Sequence, residues 1–313
     1  MSEIESFSYK NYQNKNEYKI VKLFEKTFKR KFNIKKWNWV FKKNPSGKSK
    51  ITLVFLKNRL VGQCASIKLL FRSNSKIKSF YRLQDVMVDK KYRLKKISTK
   101  NLKLFTSEAI KKNNNIIAFP NDRSVKSFLR AGYKIFYIHT YEMLLKTKYK
   151  VDEKIIIKNS NSVSFNSKDT DLINNCLKKY TLFNSRKTNY LNWRYSLSYN
   201  NYKISRFYLN KKMIGLIVGK FYAKDKSICI CELFFNESKN LYSIIKSFLI
   251  FVKKSKAKKI KIWSIPYFNF HKNLLNFGFK KTSYKTNICV DKNLFQNKSI
   301  KKIFLSMGDS DIY

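Results

Sequence analysis

An internal repeat constrains the fold of this chain more than any other feature of its sequence. The stretch "FPNDRSVKSFLRAGYK" (119–134) aligns without a gap on "IPYFNFHKNLLNFGFK" (265–280), so that Pro120, Lys126, Leu129, Gly132 and Lys134 fall on Pro266, Lys272, Leu275, Gly278 and Lys280. Upstream, "NWVF" with Trp39 matches "NWRY" with Trp193, and "FLKNRLVG" ending at Gly62 matches "YLNKKMIG" ending at Gly215. Self-similarity of this kind implies two halves of similar build.

Each half reads alike. A short strand and a helix (around 16–29 and 169–179) precede the Trp segment and a hairpin turning at "LKNR" or "LNKK". A long strand, an amphipathic helix, a buried strand and a Pro-started helix ending at Gly complete the unit. Ser98, Leu102, Phe105 and Ala109 share one face of the first amphipathic helix, and Leu241, Ile245, Phe248 and Val252 share one face of the second. Gly132 and Gly278 stand where a helix C-terminus favours a left-handed residue. The polar stretch 151–161 is the natural boundary, leaving lobes 1–150 and 162–313.

Composition bounds the partners. The 68 Lys and Arg against 19 Asp and Glu give a net charge of +49, spread along the chain. Lys, Asn, Ile, Phe and Tyr are over-used together, as an AT-rich genome imposes, so part of the charge is coding bias. The remainder favours polyanions: nucleic acid, nucleotide phosphates or anionic headgroups. The five cysteines lack zinc-site spacing and suit a reduced, cytoplasmic chain, and the two histidines give no metal site. No signal peptide or transmembrane run is legible.

The halves differ between the long strand and its helix. The first has "DKKYRLKKISTKNL" and the second only "NESKNL", with Asp85 facing Glu232 and Leu102 facing Leu241. Short connections are the rule, so the longer one implies a use. The first turn of a helix leaves N–H groups unpaired at the positive end of its dipole, which suits phosphate. Lys90, Lys91, Arg93, Lys95, Lys96 and Lys100 add cations there. The competing reading is a solvated basic rim, and the contrast between halves favours the phosphate site.

The order strand, basic turn, amphipathic helix, strand and "PNDRSVKSFLRAGYK" resembles the GNAT superfamily of acyl-CoA N-acyltransferases. The resemblance implies an α+β (α/β) fold of two tandem lobes, each a mixed, mostly antiparallel twisted sheet flanked by helices. It implies acetyl-CoA, or another acyl-CoA, as co-substrate and no metal. In that family the turn reads R/Q-x-x-G-x-G/A and grips the pyrophosphate of coenzyme A; the matching residues are Arg93, Lys96 and Ser98. Arg93, Leu94, Lys95, Lys96, Ile97, Ser98 and Thr99 are therefore the expected cofactor contacts. Lysine replaces the middle glycine, and a helix-forming residue there is expected to need no positive φ.

The family's later motif maps to Asn121, Phe128, Gly132 and Tyr133. Asn121 and Ser124 would face the pantetheine arm, and Phe128 stands where the family often places a proton-donating Tyr. Val86, Met87 and Val88 would offer a backbone N–H to the thioester carbonyl. Asp85 is the candidate base, followed by Glu25 and Tyr133. The acid at Glu232 leaves Asp85 a structural ion pair as its alternative role.

The second half would then be a degenerate lobe that shapes the acceptor side. "NWRY" and the tail "MGDSDIY" resemble tandem GNAT proteins of bacterial surface-polysaccharide synthesis, which implies an amino sugar on a nucleotide as acceptor, with Trp193 and Tyr195 available to stack on a ring; core packing is the expected role of Trp39 and the alternative one for Trp193. Two alternatives stay open: a tRNA-dependent aminoacyl transferase of related double fold, and a non-enzymatic, basic nucleic-acid-binding protein. Oligomeric state is not legible.

Overall fold

The computed structural model describes residues 6–73, 76–145, 155–160, 163–196, 201–253, 255–296, 300 and 302–310. The first run of elements is β1 (Phe7–Asn11), α1 (Glu17–Phe28), α2 (Ile34–Lys42), β2 (Lys50–Leu56), β3 (Arg59–Ser73), β4 (Lys76–Val88), α3 (Ile97–Lys111), β5 (Asn115–Ala118) and α4 (Asp122–Arg130). Next come β6 (Lys134–Leu144), β7 (Ile155–Ser160), α5 (Ser167–Leu177), β8 (Leu182–Asn184), α6 (Thr188–Tyr195), β9 (Tyr202–Leu209), β10 (Lys212–Tyr222) and β11 (Ser227–Phe235). The chain closes with α7 (Ser238–Lys253), β12 (Lys259–Ser264), α8 (His271–Phe277), β13 (Lys280–Val290), α9 (Lys292–Gln296) and β14 (Ile303–Phe304).

The chain divides into two compact units, Met1–Phe136 with Asn287–Ile300, and Tyr137–Thr286 with Lys301–Tyr313. In the first, β1, β2, β3 and β4 pair antiparallel in that order. β4 then pairs β5 in parallel, and the end of β13 lies antiparallel on β5. In the second, β7, β9, β10 and β11 pair antiparallel, β11 pairs β12 in parallel, and β12 pairs β6 antiparallel. Each unit is thus a mixed, mostly antiparallel sheet flanked by helices. Of the stretch 151–161, Ile155–Ser160 form strand β7 at the sheet edge, while 151–154 and 161 lie outside the described residues.

Local sequence accounts for these elements. Both hairpins turn where expected: Lys57 takes φ 51° between β2 and β3, and Asn210 and Lys211 take φ 50° and 63° between β9 and β10. Two successive left-handed residues match the twist of the strands they join. Gly132 and Gly278, with φ 94° and 104°, follow α4 and α8 as the repeat implied. Leu102, Phe105 and Ala109 of α3 are buried with Leu83, Ile116 and Phe128 in one cluster. Truncating a buried phenylalanine such as Phe105 costs about 3–5 kcal/mol, so this helix face, which fixes the start of α3, carries much of the unit's stability.

Candidate functional site

β4 is the strand on which the site is built. Its pairing with β5 stops at Leu83 and Ala118, whereas β4 runs on to Val88. Within that overhang the register against β3 jumps: Gln63 faces Met87, but Ala65 faces Gln84. Asp85 and Val86 therefore oppose Cys64 alone, which makes a β-bulge, and Asp85 takes φ 48°. A bulge re-aims the strand and frees part of its ladder, here beside the gap between β4 and β5.

Gln63, across from the bulge, is 1% exposed and donates its Nε2 to the Asp85 carbonyl at 3.2 Å. Its Oε1 is buried and reaches no donor among the described residues. A buried acceptor left unpaired costs roughly 1–3 kcal/mol, so the strand carries a polar atom that only an incoming donor would satisfy. Leu216 occupies the matching place in the second unit, one residue after Gly215 as Gln63 follows Gly62.

The basic corner after β4 is folded, not loose. Lys90–Lys95 form a short 3-10 helix whose N-cap is Asp89, with Oδ1 accepting the Lys91 N–H at 3.2 Å. Oδ2 of the same carboxylate, 1% exposed, accepts from Lys26 of α1 at 2.7 Å and from Arg59 of β3 at 3.0 Å. Burial pushes the Asp89 carboxyl up, but the Lys26 hydrogen bond, the Lys91 N–H and the two cationic charges outweigh it, and its pKa lies below the ordinary value. Asp89 thus ties the corner to α1 and β3. It escaped the sequence reading, although an acid between a strand and a helix is an N-cap signal.

Lys96 corrects an expectation. It takes φ 56° and ψ 17°, the left-handed conformation, not a helical one, because the chain must reverse between the 3-10 helix and α3. A lysine therefore does a glycine's conformational work, at a steric cost of about 1 kcal/mol. The N–H groups of Ile97, Ser98 and Thr99 then open α3 without an acceptor among the described residues, and the helix ladder begins with Lys100 N–H to Lys96 O at 3.0 Å. Arg93, Leu94, Lys95 and Lys96 are exposed around this start, Leu94 by 97%. Ile97 is buried under Gly62, where a Cβ would meet its Cγ2 at 3.1 Å, so that glycine allows α3 to close on β3.

The remaining expected residues divide. Ser98, near the start of α3, donates to Ser127 in the second half of α4 at 3.1 Å, which ties the two helices together. Asn121 caps α4 by accepting the Ser124 N–H at 3.1 Å, and Ser124 Oγ returns to the Asn121 carbonyl at 3.0 Å. Phe128 is buried against Tyr133, ring centroids 5.2 Å apart, in the cluster that also holds Val86. Tyr133 is 2% exposed and its hydroxyl lies 2.6 Å from that of Thr106; burial holds its pKa well above the ordinary value. That placement makes Tyr133 a packing residue with its proton already committed. Glu25 is exposed and accepts the Phe32 N–H at 3.0 Å, closing the turn after α1. Asp85, Val86, Met87, Val88 and the corner are contiguous; Glu25 and Tyr133 serve other bonds.

The second unit repeats the overhang and fills it. β11 and β12 pair from Ser227 to Ile230, matching Phe80 to Leu83 of β4, and β11 continues to Phe235. Phe304 to Met307 line a void of about 10 Å³ together with Ile230, Cys231, Leu233 and Trp263, so the chain's own C-terminal segment occupies this gap. Glu232, the counterpart of Asp85, is buried: Arg186 stands 3.4 Å away and Tyr195 donates its hydroxyl at 2.8 Å. Arg186 also binds Asp309 at 2.7 Å. Tyr195, expected as a stacking surface, is instead 2% exposed, and Trp193 at 9% takes the core-packing role that was its alternative; each ring lies among neighbouring aromatics inside this unit.

Solved structures of GCN5-related N-acetyltransferases share this fold. A GCN5-related N-acetyltransferase from Anabaena variabilis ATCC 29413 superposes with a TM-score of 0.71 at 11% identity, over 91% of this chain and 72% of that one. A probable N-acyltransferase of unknown function from Enterococcus faecalis V583 gives 0.69 at 13% identity, over 90% and 72%. A GCN5-related N-acetyltransferase from Kribbella flavida gives 0.65 at 10%, over 91% and 70%. No family model and no curated protein sequence matches this chain. At these identities the likeness is one of fold. Among the described residues no helix is long and apolar enough to cross a membrane, and no cluster of His, Cys, Asp or Glu could hold a metal ion.

Proposed function

We propose that this chain is an N-acyltransferase that moves an acyl group, acetyl in the simplest case, from coenzyme A to an amine. The observation that carries the reading is the coincidence, on one strand, of the overhang past Leu83, the bulge at Asp85 and the unpaired start of α3. Coenzyme A would bring the activated thioester. Ile97, Ser98 and Thr99 would hold its diphosphate through their N–H groups, with Arg93, Lys95 and Lys96 supplying charge. Asn121 and Ser124 would meet the pantetheine arm, beside Phe128.

The chemistry needs a neutral amine and a polarised carbonyl. Backbone N–H groups near Val86 to Val88 would serve the carbonyl, and Asp85 would accept the amine's proton, through water if the distance requires. Gln63 Oε1 offers an acceptor for an N–H of either substrate. Phe128 cannot protonate the leaving thiolate, so solvent supplies that proton.

On this reading the two units arose by tandem duplication and the second is a degenerate copy; strand β7 lies within 151–161 and residues 287–300 belong to the first unit, so the units do not divide simply at that stretch. The acceptor would be a small-molecule amine; an amino-sugar nucleotide of polysaccharide synthesis is favoured by the resemblance of "NWRY" and "MGDSDIY". Supply of acyl-CoA and the free thiols of all five cysteines suit the cytoplasm.

Release of free coenzyme A from acetyl-CoA, followed against a panel of amines that includes amino-sugar nucleotides, tests the reading. Saturable release with at least one amine is expected. Asp85→Asn should lower kcat and flatten the rise of rate with pH while the protein stays folded. Background release with every amine, from a protein that melts cooperatively, would overturn the assignment; an unchanged pH profile in Asp85→Asn would remove that residue as base.

A further inference from the structure

A second concavity lies wholly inside the second unit, away from the β11–β12 gap. It measures about 470 Å³ and is framed by the start of β9, the end of β10, the start of β11 and the last turns of α7. Its apolar wall is Phe221, Ile228, Phe248, Phe251 and Val252. Lys203, Lys220 and Lys256 stand around it, with Asn201 and Ser255, and no carboxylate lines it among the described residues. We propose that this cavity binds a free, single-headed amphipathic anion: an aliphatic or aromatic body carrying one carboxylate or sulfonate.

Size, wall and rim converge on that class. The volume falls within the range of about 300–1,000 Å³ typical of small-molecule sites and far exceeds what ordered water needs. Gly219 helps to make the room. It sits at a register shift in β10, and a Cβ there would only touch Ile228 and Phe248 at 3.4 Å, so packing does not demand a glycine. In the first unit the matching residue is Ser66, fully buried with its hydroxyl on the Lys50 carbonyl, and that position is closed.

A sugar or other wholly polar guest would leave five apolar side chains without a partner, and a neutral hydrocarbon would ignore the lysines. Lys203 and Lys256 are exposed, and the Lys220 ammonium lies 5.3 Å and 5.0 Å from the ring centres of Tyr202 and Tyr222, which hold it at the rim. Cations held over aromatic faces keep their charge while their stems stay apolar. The concave form suits a free molecule in preference to a bilayer surface. The inference is independent of the acyl-donor reading.

The probe is 8-anilinonaphthalene-1-sulfonate, an aromatic body with one anionic head, whose fluorescence rises on apolar surfaces. Titrated into the full chain, it should saturate at one site and be displaced by decanoate but not by decanol. Lys203→Glu with Lys256→Glu should weaken it about ten-fold, since two attractive rim charges become repulsive, with the melting temperature unchanged. Lys203→Arg with Lys256→Arg should restore affinity, and Arg93→Ala with Lys96→Ala should leave it alone. Non-saturating fluorescence, equal displacement by decanol, indifference to the charge reversal, or displacement only by phosphatidylglycerol vesicles would each overturn the proposal.

Discussion

Both units split their parallel strand pair at the same residue, Leu83 in one and Ile230 in the other, and then use the gap in opposite ways. In the first, the overhang carries a bulge with a left-handed Asp85, a Gln63 oxygen with no donor among the described residues and a helix start ringed with cations. In the second, Leu216 replaces the glutamine, Glu232 is locked to Arg186 and Tyr195, and Phe304 to Met307 fill the space. On the proposed reading the same backbone device serves as a site in the first unit, whereas in the second its polar groups are satisfied from within. Glu232 is held by Arg186 and Tyr195, and Asp85 stands at the bulge.

The comparison can be broken at three points. The largest effect belongs to the filled gap. Arg186 is fully buried between Glu232 and Asp309, so Arg186→Ala strands two buried acids and should cost about 3–5 kcal/mol, measured by urea denaturation. A loss under about 1 kcal/mol would mean that the network is not what closes this unit.

Next is Asp89, which anchors the open gap's corner. Asp89→Asn should cost about 1–3 kcal/mol through its weakened bonds to Lys26, Arg59 and Lys91, and should weaken coenzyme A binding with it. Because the folded pKa of Asp89 is depressed, its contribution is complete above the unfolded value near 4 and is lost as pH falls through the folded one. The difference in stability between wild type and Asp89→Asn should therefore shrink only in that acid window. A constant difference across it would place the effect elsewhere.

Lys96 gives the smallest shift. Lys96→Gly and Lys96→Ala both remove the charge, but only glycine relieves φ 56°. The glycine variant should be as stable as the alanine variant or better, by up to about 1 kcal/mol, despite its freer unfolded chain. An alanine variant clearly more stable than the glycine one would show that the left-handed turn is absent in solution.

The sequence made the hairpins, the helix-ending Gly132 and Gly278 and the cationic corner legible, because each rests on local pattern. It hid the bulge and the turn at Lys96. In this glycine-poor chain Lys, Asn and Asp occupy left-handed positions such as Lys29, Lys57, Asp85 and Asn113, so the usual glycine marker is missing. Asp89 was hidden because its partners Lys26 and Arg59 are 63 and 30 residues away. The filling of the second gap by the C-terminal segment, and the burial of Tyr133 and Tyr195, depend on contacts between distant segments that neither periodicity nor motif spacing records.

Calorimetric titration of coenzyme A tests the contrast between the gaps most directly. One equivalent per chain should bind, and Arg93→Ala with Lys96→Ala should weaken it roughly ten- to a hundred-fold at unchanged stability, because exposed cations hold phosphate but little of the fold. Two equivalents per chain, or one whose affinity survives the double replacement, would contradict the assignment of the donor to the first unit alone.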